Sequence, residues 1–503
     1  MSPEHPAELA ARAADQHVVV IGGGIGGLIA ARECAKVGIR VTLLEAEPEL
    51  GGSVRSADLD GIVVDVGAES FATRGGHVRA LIDELGLSDA IVAPEGGGAW
   101  LSGIPDAPDA PLPVGGLLGI PANPFQEDVR AIIGWRGAWR AYVDRLRPPL
   151  TIGHERSLGR LVSTRMGARV RDRLVAPVTA GVYSALPDDV DVDAAAPGLN
   201  AALTRVGSLS GAVLTMQGER AGKKPGAAVQ GLDGGMTRLV AALRVELELL
   251  GVEVRTGTRV TSIGRDGENW VVTIEPDDGE EGETDADDGA TEAPTPLTAT
   301  GVVVATAEPA ARTLLTPHVT GLGEQGDAPE IEIVTLLLEA PELDAAPRGS
   351  GVLTVPGSHT AKALTHSTAK WGWLRRAADG NHIVRVSFGT QGEPAATAEL
   401  DDDAAAQLAL SEASALLGVA LPPDRLRAAH RARFVQSQPA SLIGAADRRT
   451  TARAAIARTP RLAAVGAWLA GTGLAQVIPD AVAETDRLRS ALLWDQQDGS
   501  LTR

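Results

Sequence analysis

The residues best suited to chemistry lie close to the N-terminus. Gly22-x-Gly24-x-x-Gly27 follows the β-branched run His17–Ile21 and opens a helical stretch that takes in Gly23, Ile25 and Gly26. The first glycine permits a tight turn, the second lets the backbone approach a pyrophosphate, and the third lets the helix pack on the sheet. Free N–H groups and the positive end of the helix dipole then meet the phosphates. Glu45 ends the next strand, Arg40–Glu45, eighteen residues after Gly27, where a carboxylate accepts hydrogen bonds from ribose hydroxyls. A lone glycine triplet is equally a glycine-rich turn. Strand, helix, second strand and acid within about 30 residues make it a dinucleotide site. The acid argues against NADP, whose extra phosphate it would repel.

NAD and FAD share this unit, and the next residues separate them. Ala46 leads into Gly51-Gly52-Ser53-Val54-Arg55. A glycine pair followed by arginine, soon after the ribose acid, is a second signature of FAD-binding oxidoreductases. The glycines admit the diphosphate and Arg55 neutralises charge there; the plain alternative for Arg55 is a surface salt bridge. There is no HExxH and no G-x-S-x-G. The single cysteine, Cys34, supports neither a disulfide framework nor a metal site and does not stand at a covalent flavin position. Non-covalent FAD and no metal are expected.

A family resemblance joins these motifs to others. Gly67-Ala68-Glu69-Ser70-Phe71-x-x-Arg74, preceded by Gly61-Ile-Val-Val-Asp65, resembles the segment beneath the flavin in the FAD-dependent protoporphyrinogen/coproporphyrinogen III oxidases. Ser157–Pro177 and Gly181–Ser184 resemble their helical domain, and Gly234-Gly235-Met236-x-x-Leu239 their return to the FAD domain. Lys362-Ala363 and Lys370–Trp373 resemble their substrate domain, and Gly466–Leu474 their C-terminal flavin motif. The resemblance covers nearly the whole chain and is closest to the actinobacterial branch. It implies oxidation of coproporphyrinogen III to coproporphyrin III by six electrons, with oxygen as acceptor and hydrogen peroxide released. Protoporphyrinogen IX is the runner-up substrate; a flavin amine oxidase and a non-catalytic FAD-binding protein are more distant alternatives.

Carried over by position, the resemblance implies FAD contacts at Gly22–Gly27, Glu45, Ala46, Gly52, Ser53, Arg55, Gly67, Ala68, Glu69, Ser70, Val260, Ala467, Thr472, Gly473 and Leu474. Phe434 stands where relatives often carry tryptophan, and Gly96–Leu101 (GGGAWL) holds no counterpart of the family's propionate-binding arginine. Four propionates need cations. Arg74, Lys362 and Lys370 are the candidates, with a solvated surface position as the alternative for each. The substrate is primed for hydride loss, so the protein has mainly to hold a meso carbon against flavin N5. His366 is read as a structural histidine rather than a proton carrier.

The elements needed to position these residues are α/β, or α+β overall. The expected architecture is a Rossmann-like FAD domain from residues 1–92, 228–305 and 455–503, a mainly helical domain over 93–227, and a mixed-sheet substrate domain over 306–454. The spacing predicts a helix over Gly76–Leu85 and apolar stripes at Leu158, Leu161, Val162 and at Val170, Leu174, Val175. Ser208–Gln230 reads as a connection. Gly251–Ile263, Asn269–Ile274 and Gly301–Thr306 read as strands of one meander. Ile331–Leu338 and His382–Phe388 read as further strands, Ala404–Leu417 and Ala481–Leu493 as helices, and residues 1–16 as a frayed leader without a signal peptide's basic region.

The 503 residues carry a net charge of −19, which argues against nucleic acid as a partner. Roughly half of that excess sits in the acidic run Glu275–Glu292, read as a solvated loop. No apolar run is long enough for a membrane span, and contact with a membrane surface stays open. A cytoplasmic location is expected. The resemblance implies a ferrochelatase or other haem-pathway enzyme as partner.

Overall fold

The computed structural model describes residues 6–147, 155–218, 228–275, 296–325, 329–435 and 441–494. His17–Ile21 is the middle strand of a five-stranded parallel sheet, ordered Glu253–Arg255, Arg40–Leu44, His17–Ile21, Gly301–Val304, Leu462–Ala464. His17–Ile21 and Gly301–Val304 are buried throughout, as strands covered on both faces must be. Side chains alternate between the two covers. Val18 and Val20 pack with Leu28, Leu239 and Leu488 from the helices Ile25–Ala35, Thr237–Leu249 and Leu474–Trp494. Val19 and Ile21 pack with Trp270, Leu315 and Ile456 on the opposite side.

The expected meander changes membership. Val260–Asp266, Asn269–Ile274 and Pro296–Ala299 form the antiparallel ribbon, whereas Glu253–Arg255 and Gly301–Val304 join the parallel sheet. Gly301–Val304 is an unbroken apolar run, the pattern of a strand buried on both faces rather than of a half-exposed meander strand. The acidic run lies outside the described residues beyond Glu275.

A second sheet has seven strands: Leu426–Val435, Glu330–Leu338, His382–Phe388, Ala363–His366, Gly351–Thr354, Ala99–Ser102 and Ala110–Pro111. All neighbours are antiparallel except Gly351–Thr354 and Ala99–Ser102. One face is sealed by the helix Asp402–Leu417, with Val334, Leu336, Val384, Val386 and Leu410 in the seam. Asp401 caps that helix, its carboxylate accepting from Ala404 N–H at 2.8 Å. Ala99–Ser102 and Ala110–Pro111 come from Ala93–Pro124, a Gly- and Pro-rich stretch that reads as loop with short strands ahead of the helical pattern from about Gln126.

Helices Glu127–Tyr142, Leu158–Met166, Ala176–Tyr183 and Leu199–Val206 surround a third core that holds Leu158, Leu161, Val162, Val170, Leu174 and Val175. Two expectations give way here and at the N-terminus. The connection Ser208–Gln230 contains the helix Leu209–Gly218, with Leu209, Ala212, Val213 and Met216 buried at helical spacing; its small and polar residues disguise the period. The leader contains the helix Pro6–Ala14, fixed by buried Ala13 and by Arg12 Nη1 donating to the Leu493 carbonyl at 2.6 Å. The last helix begins at Leu474, ahead of the expected Ala481, and runs through Pro479.

Candidate functional site

The glycine turn is built from backbone at close quarters. Gly22 has φ +108°, and a Cβ there would fall 2.8 Å from the Ala305 carbonyl group. A Cβ on Gly27 would sit 1.9 Å from the Gly22 carbonyl oxygen, so the helix rests directly on the turn. Gly24 differs: it begins the helix Ile25–Ala35, yet nothing lies within 4 Å of a Cβ placed on it. Gly52 lies close by, where its own Cβ would stand 3.3 Å from Gly24 Cα. Gly51 N–H donates to the Gly23 carbonyl at 2.9 Å, holding the two glycine loops side by side.

Glu45 closes the pocket. Its carboxylate accepts from Gly23 N–H at 2.5 Å and from Glu47 N–H at 2.9 Å. Thr258 N–H donates to the Glu45 carbonyl at 2.7 Å, which brings the strand beginning at Val260 beside Glu45 and Ala46. Arg55 Nε donates to the Gly52 carbonyl at 2.9 Å, and its guanidinium lies 5.5 Å from the Phe434 ring centre. Across the turn, a Cβ placed on Gly26 would stand 3.4 Å from the Gly466 nitrogen. The Gly466–Leu474 segment therefore adjoins the glycine helix, with Ala467 opening one short helix and Leu474 the last.

The Gly67–Ser70 segment lies against Ser53–Arg55. Ala68 N–H donates to the Ser53 carbonyl at 2.9 Å, and a Cβ on Gly67 would fall 2.1 Å from that same oxygen. Glu69 then reaches the open face of the seven-stranded sheet. It pairs with Lys370 at 2.5 Å and Arg385 at 3.0 Å, and accepts from Ser367 Oγ at 3.1 Å. Burial pushes the Glu69 carboxyl up, but the two cations outweigh it and hold the group at about 2. Arg385 also donates to the Val66 and Gly67 carbonyls at 3.1 and 2.6 Å. Arg385 escaped sequence reasoning; its only signal was an arginine inside the apolar strand His382–Phe388.

Asp65 fixes the other end of this segment. Its carboxylate accepts from Met236 N–H at 2.9 Å, capping the helix Thr237–Leu249, and burial pushes it up to about 6. Gly235 makes room: a Cβ there would stand 3.0 Å from the Asp65 carboxylate.

The three candidate cations do not form one cluster. Lys370 is engaged by Glu69. Arg74 is exposed, with its guanidinium 3.2 Å from the Gln476 amide oxygen, beside the C-terminal flavin motif. Lys362 is 8% exposed and donates to Ser184 Oγ at 2.7 Å, and burial lowers it to about 7. His366 points to the helix-covered face, opposite Arg385. Its Nε2 lies 3.1 Å from His382 Nδ1, and burial lowers it to about 4. It is a neutral histidine of the sheet interior. Cys34 is fully buried in the glycine helix, its thiol pushed up to about 12 by burial.

These residues fit FAD. The open volume at Gly24, between two glycine loops and a helix N-terminus, suits a diphosphate; Glu45 suits a ribose; and the Gly67–Ser70 and Gly466–Leu474 segments leave space for the flavin end. No cluster of three or more metal-ligating side chains occurs among the described residues. No helix among them is long and apolar enough to cross a membrane.

Comparison with known proteins agrees. The model for "Flavin containing amine oxidoreductase" matches residues 25–485. A coproporphyrinogen III oxidase of Propionibacterium freudenreichii is 28% identical over 95% of this chain and 91% of its own. One of Mycobacterium tuberculosis is 31% identical over 90% of this chain and 93% of its own. A solved structure from Exiguobacterium sp. 255-15, carrying a provisional protoporphyrinogen oxidase name, superposes with a TM-score of 0.77 at 23% identity, covering 96% of this chain and 99% of that one. The glycine-built turn, the sheet-anchored Gly67–Ser70 segment and these matches converge: the chain is an FAD oxidoreductase of the flavin-containing amine oxidoreductase family, on the branch that holds the actinobacterial coproporphyrinogen III oxidases.

Proposed function

We propose that this protein oxidises coproporphyrinogen III to coproporphyrin III in haem biosynthesis. Six electrons leave the macrocycle, two to each oxygen molecule, and each oxygen leaves as hydrogen peroxide. The observation that carries the reading is the match to actinobacterial coproporphyrinogen III oxidases along nine-tenths of both chains. FAD, when bound, supplies the two-electron acceptor.

The protein's own residues bind, orient and exclude water. Glu69, Lys370 and Arg385 fix the Gly67–Ser70 segment against the sheet, so the substrate meets a rigid floor. Thr365 and Arg385 pair across neighbouring strands and share the face turned to that floor. Lys362 with Ser184 is proposed to take one propionate, the ligand carboxylate supplying a counter-ion for a buried amine. Arg74 takes another at the rim. Lys370 acts through Glu69 and positions it. The FAD domain is proposed to comprise residues 1–92, 228–305 and 455–503, with 93–227 as helical domain and 306–454 as substrate domain. The oxidase is placed in the cytoplasm, passing its product to a ferrochelatase or other haem-pathway enzyme.

The test is to mix FAD-loaded protein with coproporphyrinogen III in air and follow porphyrin fluorescence together with peroxide. Porphyrin formation well above autoxidation, with peroxide matching it three to one, is the expected result. A rate equal to autoxidation would overturn the reading. Faster turnover of protoporphyrinogen IX would favour the second reading, which the name of the Exiguobacterium structure suggests.

A further inference from the structure

The chain carries a net charge of −19, yet the surroundings of the Gly67–Ser70 segment run the other way. Two cations, Lys370 and Arg385, share one carboxylate, Glu69. Both Glu69 oxygens are taken, Oε1 by Lys370 and Oε2 by Arg385 and Ser367 Oγ. Two other ion clusters balance or lean to acid. Arg32 meets Glu33, Glu84 and Glu246. Arg431 and Arg433 share buried Glu332 but add Asp402 and Glu330.

The remaining charges nearby do not restore the balance. Asp65 is the next carboxylate in reach of Glu69 and Arg385, and it is spent on Met236 N–H at the start of the helix Thr237–Leu249. Arg55, whose carbonyl accepts from Val66 and Gly67 N–H, adds a further cation, with its guanidinium on the Gly52 carbonyl. One positive charge is thus left over where the side chains of Arg385 and Glu69 are only 7% and 12% exposed. Such a charge is costly unless another answers it. Pinning the segment needs one cation, since Arg385 alone reaches Glu69 and the Val66 and Gly67 carbonyls. Lys370 is the surplus.

The surplus lies close to the cofactor's proposed place. Arg385 sits one peptide layer below the segment, and Gly67 and Ala68 rest on Ser53, beside the Gly51–Gly52 loop. We propose that the surplus charge of Lys370 raises the two-electron reduction potential of the bound flavin, beyond its part in holding Glu69. This rests on the placement of the flavin over Gly67–Ser70. Hydride uptake, two electrons and one proton, leaves the flavin ring with a negative charge. A fixed cation behind one layer of backbone stabilises that form more than the neutral oxidised one. Lys370 makes the flavin a stronger hydride acceptor without touching the substrate.

The experiment uses the full FAD-loaded chain. It is reduced slowly without oxygen beside a reference dye, and sulfite is titrated against the oxidised flavin. Neither measurement needs porphyrinogen, so failure here leaves the oxidase reading standing, and failure of that reading leaves this one testable. K370M is expected to cut the reduced-to-oxidised ratio at a given dye ratio about tenfold, a fall of about 30 mV for a two-electron couple. Sulfite binding should weaken by about the same factor. K370R is expected to restore both. E69Q, which leaves both cations unanswered, is expected to move both readouts the opposite way and decides the matter where K370M loses FAD. Parent-like potential and sulfite affinity in FAD-containing K370M would overturn the proposal. So would K370R shifting both as far as K370M, or E69Q lowering the potential.

Discussion

Two parts of the site are made in opposite ways. The end proposed to take the diphosphate is built from backbone, where Gly22, Gly24, Gly27, Gly51 and Gly52 matter for what they lack. The floor proposed for the flavin is built from side chains, where Glu69, Lys370 and Arg385 matter for charges brought together from distant segments. A site of the first kind fails through a single added methyl group. One of the second kind fails through a charge left without its partner.

The comparison breaks hardest at Gly27. Gly27→Ala places a Cβ 1.9 Å from the Gly22 carbonyl oxygen, and the helix must leave the turn. We expect loss of soluble, FAD-containing protein, read from the flavin-to-protein absorbance ratio. Gly24→Ala sharpens the contrast, because its φ of −67° suits alanine and its Cβ meets no protein atom. The apoprotein should then unfold at the parent temperature while FAD affinity falls about tenfold or more. Equal FAD affinity would show that the diphosphate lies elsewhere.

On the charged side, Arg385→Leu leaves buried Glu69 with Lys370 alone and uncovers two carbonyls. We expect a loss of about 3 kcal/mol in urea unfolding. Acid titration separates the floor from its anchor. Asp65, raised to about 6 by burial, contributes stability that is complete below its ordinary 3.8 and lost as pH rises through 6. Glu69, held at about 2, contributes stability that is present above its ordinary 4.5 and lost as pH falls through 2. Asp65→Asn should therefore flatten the stability profile between pH 4 and 6, by about 3 kcal/mol at most, and leave the acid limb intact.

The smallest effects belong to the rim. Lys362→Met should raise KM for coproporphyrinogen about tenfold with little change in kcat, the pattern of lost uniform binding. Arg55→Met removes one hydrogen bond and the contact with Phe434, and should weaken FAD about threefold.

The same contrast explains what the sequence disclosed. Gly22–Gly27 and Glu45 were legible because a turn, a helix start and a strand end are local, and glycine spacing records them directly. His382–Phe388 was legible as a strand by its apolar alternation. Arg385 within it was not legible as part of the site, since its partners Glu69 and Gly67 lie more than 300 residues away and nothing local marks the pairing. The helix Leu209–Gly218 hid behind small residues. Gly301–Val304 was assigned to the wrong sheet because an apolar run does not name its neighbour.

The order of strands in the parallel sheet also bears on how the protein is made. Its edge strand Leu462–Ala464, and the helix Leu474–Trp494 that packs on the glycine helix, leave the ribosome long after the glycine turn and Gly301–Val304 have emerged. During synthesis the nascent chain therefore holds a half-walled nucleotide cleft with an unpaired strand edge at Gly301–Val304, a state open to mispairing. The cleft is complete only once those distant segments have docked, and a ligand that binds the completed cleft favours the docked state by mass action.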